Sequence, residues 1–228
     1  MWNIIKKHIS VNYEKNGAKP RYVVVHDTGN ASKSADAMAH YKYFCDKTAK
    51  ASYNYIADEN VILECVLPPN AAWHAGVGKS GIRKDGKRSD ITNFNSIGVS
   101  YCINKGADLK KAVRNCAIAA AHACLMYDIP LENVVRHYDV TEKVCPGTMY
   151  RNEIGLGENA VPWGDWQAFK VMVGDFITAM KEAQELCAAL ESKGAITNRE
   201  YWENGLAGVG EIDVKWMRVM LARVLAEQ

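Results

Sequence analysis

Arg21–Asn30 reads RYVVVHDTGN. Tyr22 to Val25 make a continuous apolar, largely β-branched run, and Asp27, Thr28, Gly29 and Asn30 end it with turn-forming residues. β-branched side chains are stiff at χ1 and pack well on a pleated surface. The stretch therefore predicts a buried strand that delivers His26 to its C-terminal end, with a loop beyond.

The neighbouring segments extend this pattern. SADAMAHYKYFCD (34–46) predicts a helix capped by Ser32 or Ser34. ASYNYIADENVILECV (51–66) predicts two strands around a turn at Asp58–Asn60. NSIGVSYCIN (95–104) predicts another strand, and DLKKAVRNCAIAAAHACLMYD (108–128) a long alanine-rich helix stopped by Pro130. ENVVRHYDV (132–140) then gives a short strand or turn that delivers His137. This alternation predicts an α/β fold with a mixed central β-sheet flanked by helices.

Beyond Pro162 the pattern becomes wholly helical. Residues 163–194 predict a helix with a break near Gly174, closed by Gly194. TNRE (197–200) fits a capping box for a short helix around Tyr201 and Trp202. Val214 to Leu225 places Met217, Met220, Leu221, Val224 and Leu225 on one face. The expected organisation is a sheet-bearing body over 1–175 and a small all-helical C-terminal region over 176–228.

Composition narrows the function classes. Of 228 residues, 48% are hydrophobic and 24% charged, ordinary for a globular chain with a real core. A net charge of +2 is too mild to indicate nucleic acid, which calls for a concentrated basic face. The locally basic KSGIRKDGKRSD (79–90) reads first as a solvated loop, with contact to an anionic polymer as the alternative. Seven cysteines, odd in number and scattered, argue against a disulfide framework and for a reducing compartment. The N-terminus lacks an apolar core of signal-peptide length, so synthesis in the cytoplasm is expected. No run approaches the ~20 apolar residues of a membrane helix, so no membrane insertion is expected.

The chemistry concentrates in RHYDVTEKVCPG (136–147), which holds His137, Asp139, Lys143 and Cys145. Six of the cysteines lie in apolar helix or strand patterns and read as small core hydrophobes; Cys145 alone lies in a polar loop. Among the histidines, His8 reads as solvated, and His40 and His122 as helical structural residues. His26 and His137 each follow a predicted strand and open a loop, where functional residues concentrate. His74 lies in AAWHAGVG, among small residues that permit close approach. Two histidines and a thiolate make a three-ligand zinc set with a fourth position for water, whose pKa such an ion lowers to ~7. Two alternatives stay open on spacing alone. The histidine and cysteine could be incidental to the loop, or Cys145 could be a nucleophile with His137 as base and Lys143 favouring the thiolate. The second leaves His26 without a role.

Taken in order, VVVHDTGN, ASYNYIADEN, AAWHAG, NSIGVSYCIN and RHYDVTEKVCPG resemble the type-2 N-acetylmuramoyl-L-alanine amidases over roughly residues 20 to 175. That family includes many phage endolysins and the animal peptidoglycan recognition proteins. The resemblance implies a zinc amidase catalytic domain with one zinc ion. It would cut the bond between the lactyl group of N-acetylmuramic acid and L-alanine through a zinc-activated water. Carried over, it assigns His26, His137 and Cys145 as zinc ligands and Lys143 as the cation that stabilises the developing oxyanion. Many members carry a glutamate base in the strand motif S-I-G-[IV]-E, where this chain has Ser100 in SIGVSYC. Another branch uses a hairpin tyrosine, and SYNYI puts Tyr53 at that position. Cross-strand packing is the bland reading of Tyr53. Trp73 and His74 resemble the family's substrate-side WHAG motif. Asn95 is a further substrate-binding candidate, with Asn93 and Asn95 otherwise shaping their loop.

The implied partner is bacterial peptidoglycan, and the leading expectation is a phage or prophage endolysin released to the wall through a separate membrane pore. A muropeptide-recycling amidase and a non-catalytic recognition module are the alternatives. Retention of Cys145 counts against the latter. In the tail, Tyr201, Trp202 and Trp216 read first as the core of a helical appendage. Wall attachment or a homo-oligomer face on the C-terminal helices is the other reading.

Overall fold

The computed structural model describes residues 4–15, 19–76, 83, 86, 87, 89–149, 166–208, 210, 212 and 214–226. Most of the basic stretch 79–90 lies outside the described residues. Backbone contacts divide the chain into two compact units, Ile4–Val173 and Gly174–Gln228.

In the first unit a six-stranded mixed sheet runs in the order β1 (Ile4–Lys6), β5 (Ile62–Glu64), β4 (Tyr55–Ala57), β7 (Ser96–Tyr101), β3 (Tyr22–Asp27), β8 (Val134–Arg136). The β4–β5 hairpin is antiparallel and every other pairing in this sheet is parallel. A separate antiparallel pair joins β2 (Tyr13–Glu14) to β6 (Ala71–Ala72). The fold is the α/β architecture expected, with strand β1 added from an N-terminal stretch that carries little strand signal of its own. Its pairing with β5 comes from a partner far along the chain.

Successive strand side chains point to opposite faces. The β4 pair shows which helix covers which face. Tyr55 meets the ring of His122 edge-on, and His122 belongs to α2 (Leu109–Tyr127). Ile56, on the other face, shares a core with Ala37 and Phe44 of α1 (Ala37–Phe44). In α2, Cys116 to Ala121 are all buried, so the small side chains let this helix lie close to the sheet. It starts at Asp108, whose carboxylate accepts from Lys111 N–H, and ends at the left-handed Asp128 just before Pro130.

Several local expectations are corrected. The N-cap of α1 is Asp36, which accepts from Ala39 N–H at 2.7 Å, and not Ser32 or Ser34. The hairpin residue Asp58 takes Ala37 N–H at 3.0 Å, so a distant carboxylate shares the capping. His8 is not simply solvated, because its Nε2 lies 2.6 Å from the carboxylate of buried Glu64, which also accepts from Tyr55 at 3.1 Å. Cys45 is exposed at the C-terminal end of α1, unlike the other cysteines.

The second unit is helical. Helix α4 (Trp166–Ser192), most of which belongs to this unit, runs unbroken through Gly174, and Gly194 (φ +66°) follows its end in the left-handed conformation that favours glycine. Helix α5 (Arg199–Leu206) is capped by Asn198, one residue later than the TNRE box places it. With α6 (Val214–Ala226) these elements gather Cys187, Ile196 and Trp202 into a small core joined by Tyr201, Ile212 and Met220. Trp202 is therefore a core residue, whereas Trp216 is 50% exposed. Among the described residues no helix is long and apolar enough to cross a membrane.

Candidate metal centre

Two parallel strand ends and one loop build the site. His26 is the penultimate residue of β3; β8 feeds α3 (His137–Thr141), whose first residue is His137; Cys145 lies in the loop after it. Asp139 holds the start of α3, taking Arg136 N–H at 2.9 Å and the Arg136 guanidinium at 3.0 and 2.7 Å. The Cys145 loop is tied down at both sides. Tyr138 N–H donates to the Cys145 carbonyl at 3.1 Å, and Thr148 N–H donates to Asp27 Oδ2 at 3.2 Å.

The nitrogen and sulfur donors of His26, His137 and Cys145 all lie within 4.8 Å of one another, and all three residues are buried. His26 Nδ1 is 3.7 Å from Cys145 Sγ. Bonds of ~2.05 Å to nitrogen and ~2.3 Å to sulfur at a tetrahedral angle put such a pair about 3.6 Å apart. The donor set therefore fits one zinc-sized ion. Each imidazole is already held by its other nitrogen: Nε2 of His137 lies 3.1 Å from the Ala75 carbonyl, and Nε2 of His26 lies 3.1 Å from His74 Nδ1. That leaves Nδ1 of each to face the cluster, the arrangement by which partner groups orient metal-binding histidines.

Electrostatics agree. Burial, then His137, His74 and Lys143, hold the His26 ring well below its ordinary pKa, so it is neutral and can donate a lone pair. Burial and then Asp27 push the Cys145 thiol up to about 12, so it ionises near neutrality only with a cation beside it. Burial also raises Asp27, against the backbone N–H groups of Thr148, Gly147 and Gly29 that favour its charged form.

Tyr53 and Lys143 flank this cluster. The Tyr53 ring centroid is 4.9 Å from that of His26, and its phenol is raised above the ordinary value by burial and then by Cys145 and Asp27. Ser100 lies opposite His26 in the β3–β7 register, its hydroxyl buried and without a hydrogen-bond partner among the described residues. Lys143 is exposed, yet its charge lowers the pKa of His26, Asp27 and Cys145. From Tyr53 a cavity of about 510 Å³ opens along α1, lined by Thr28, Asn30, Ser32, Ser34, His40 and Tyr43 among others.

The remaining sequence candidates sit differently. His74 is only 6% exposed and packs behind His26, and its pKa is pushed down to about 3 by burial and then by His137. Trp73 is half-buried, its backbone exchanging hydrogen bonds with Ser52. The Asn95 side chain is spent on its own loop, donating to the Asp90 carbonyl at 2.6 Å and accepting from Thr92 N–H at 2.8 Å. Asn93 accepts from His74 N–H and Ala75 N–H at 3.2 and 2.7 Å, fixing the segment that supports both imidazoles. Asp27, Ser96 and Gly98 were not singled out by sequence reasoning. A glycine inside the strand motif SIGV was the available signal, since such a glycine often marks a close approach. A Cβ at Gly98 would stand 2.5 Å from the His74 ring.

The family model for N-acetylmuramoyl-L-alanine amidase matches residues 16–148, more than half of the chain. The amidase CwlH of Bacillus subtilis is 32% identical over 127 residues, covering 56% of this chain and 47% of CwlH. The amidase XlyA of the same organism is 30% identical over 190 residues, covering 80% of this chain and 59% of XlyA. The chain thus spans about half the length of the curated relatives it matches. Among solved structures, the catalytic domain of XlyA superposes with a TM-score of 0.60 at 27% identity, covering 75% of this chain and 99% of that one. A mutant endolysin from Bacillus subtilis gives a TM-score of 0.60 at 28% identity, covering 76% and 100%.

Proposed function

This chain belongs to the N-acetylmuramoyl-L-alanine amidase family, and from that premise we propose that it is a zinc-dependent peptidoglycan hydrolase. It cleaves the amide between the lactyl group of N-acetylmuramic acid and the L-alanine of the stem peptide, as an endolysin of a phage or prophage. The observation that carries this reading is the buried His26–His137–Cys145 group with Tyr53 and Lys143 at its edge. The likeness to an endolysin from Bacillus subtilis supports the lytic role.

Nδ1 of His26, Nδ1 of His137 and the Cys145 thiolate would hold zinc, which would supply Lewis acidity at the scissile carbonyl and make a water acidic enough to attack at neutral pH. As the carbonyl carbon becomes tetrahedral its oxygen gains negative charge, and the Lys143 ammonium offsets charge that exists only at that point. The raised pKa of Tyr53 keeps its phenolic proton in place near neutrality. Tyr53 therefore acts as a hydrogen-bond donor that orients the reacting oxygen. One proton of the water ends on the leaving nitrogen and the other passes from the new carboxylic acid to the freed amine, so the products are a lactyl carboxylate and an L-alanine ammonium. The hydroxyl and amide groups of Thr28, Asn30, Ser32 and Ser34 line the cavity that reaches Tyr53, a surface suited to an uncharged amide-rich chain. Residues 1–175 act as the catalytic domain and 176–228 as a helical appendage. The protein is made in the cytoplasm and acts on the wall after release.

The test is mass spectrometry of purified peptidoglycan after digestion, with and without a zinc chelator. Chelator-sensitive release of stem peptides that begin with a free L-alanine amine, from intact glycan strands, is the expected result. Intact peptide–glycan bonds across several wall chemotypes, despite one bound zinc per chain, would overturn the lytic reading.

A further inference from the structure

The two histidines of the metal centre are oriented by unlike partners. His137 faces a backbone carbonyl, that of Ala75, which can only accept, so its Nε2 must carry the proton. His26 instead faces another imidazole, that of His74. An imidazole can donate or accept, so this contact alone leaves the His26 tautomer undecided. If His74 carried its proton on Nδ1, His26 would accept at Nε2 and hold its own proton on Nδ1, blocking the atom that faces Cys145.

The far side of His74 resolves this. Its Nε2 lies 3.3 Å from Ser96 Oγ, and the Ser96 hydroxyl donates its single proton to the Thr92 carbonyl at 2.5 Å. Ser96 Oγ can then only accept, which places the His74 proton on Nε2 and leaves Nδ1 as acceptor. His26 must donate from Nε2 at 3.1 Å, and its Nδ1 lone pair points toward Cys145 Sγ at 3.7 Å. The ring of His74 occupies a place that exists only because residue 98 is glycine. We infer that His74 is a positioning residue which, with Ser96, sets the tautomer of His26 so that Nδ1 is presented to the metal. The inference rests on the reading of His26 as a zinc ligand, and it places His74 behind the metal centre instead of against the substrate.

The full-length chain, stripped of metal, is titrated with zinc against a chromophoric chelator, and the zinc-loaded protein is examined by long-range proton–nitrogen NMR of 15N-histidine. In the wild type, His26 carries its proton on Nε2. His74→Leu removes the acceptor and weakens zinc binding by about 10- to 100-fold, the scale for losing an orienting partner of a metal ligand. His74→Asn, whose carboxamide oxygen stands close to the place of Nδ1, regains most of that loss. Ser96→Ala weakens binding by about fivefold, as expected for one lost neutral hydrogen bond. A His74→Leu protein that is folded by circular dichroism and binds zinc within about twofold of wild type would overturn the inference, twofold being far below that scale. So would a proton on His26 Nδ1 in the wild type. Should His74→Leu not fold, unchanged affinity in Ser96→Ala overturns it instead. A wild-type chain that binds no stoichiometric zinc overturns the metal reading and this inference together; normal wild-type binding with unaffected variants removes this inference alone.

Discussion

Raising the pH from about 7 to about 8.5 tightens zinc binding by at least about tenfold per pH unit, because each ion entering the site displaces the Cys145 proton and acidifies the water it binds. The count comes from the thiol and the His26 ring. Burial and Asp27 push Cys145 up to about 12, so the metal-free folded protein keeps that proton throughout this range. Zinc needs the thiolate, and so competes with the proton; as pH rises the competitor thins and affinity grows. His26 is held well below its ordinary pKa and releases nothing. Above about pH 7 an ordinary imidazole is already mostly neutral, so histidines add little to the slope. At about 1.4 kcal/mol per unit, the thiol proton alone contributes about 2 kcal/mol over this range, or roughly thirtyfold. Chelator competition at each pH gives the slope, and calorimetry in buffers of different ionisation heat counts the protons. Cys145→Ala should remove about one proton from the slope along with most of the affinity. A flat wild-type profile would refute the reasoning, showing that the thiol is ionised without metal or is no ligand. Release of more than about two protons, one from the thiol and up to one from the metal-bound water, would refute the neutral His26.

Three further outcomes follow from the same geometry. Tyr53→Phe should lower kcat by about a hundredfold, the low end for losing one hydrogen-bond donor aimed at the reacting oxygen, with zinc affinity unchanged; undiminished turnover would return Tyr53 to packing against His26 and Phe44. Lys143→Ala should cost about 10²- to 10³-fold in kcat, with a small effect on KM, if its ammonium acts on transition-state charge; a loss confined to KM would make it a substrate anchor. Asp27→Ala removes the acceptor of Gly29 N–H and Thr148 N–H. It should lower unfolding free energy by about 1–3 kcal/mol in urea denaturation and weaken zinc binding with it. An unchanged urea midpoint would show that the Cys145 loop is held by other contacts.

By itself the sequence determined what short-range physics determines. Tyr22 to Val25 could only be a buried strand, and all three valines are fully buried. The alanine-rich segment before Pro130 could only be a long helix, and the turn chemistry at Asp58–Asn60 already closed the β4–β5 hairpin. The chain order of His26, His137 and Cys145 was also legible, although spacing alone left a metal site and a cysteine nucleophile undecided. The tertiary structure decided whatever depends on residues far apart in the chain. Strand β1 exists through its pairing with β5, and α1 begins at Asp36 with Asp58 taking the next free N–H. His8 found a buried carboxylate on β5, which no local pattern announces. His74 lies 48 residues from His26 and 22 from Ser96, yet hydrogen bonds join the three in one line. A hydrogen bond depends on the distance between two atoms, and over such separations only the sheet register sets that distance. The sequence therefore pointed to the candidate metal-ligating residues, and the fold decided which of their nitrogens faces the cluster.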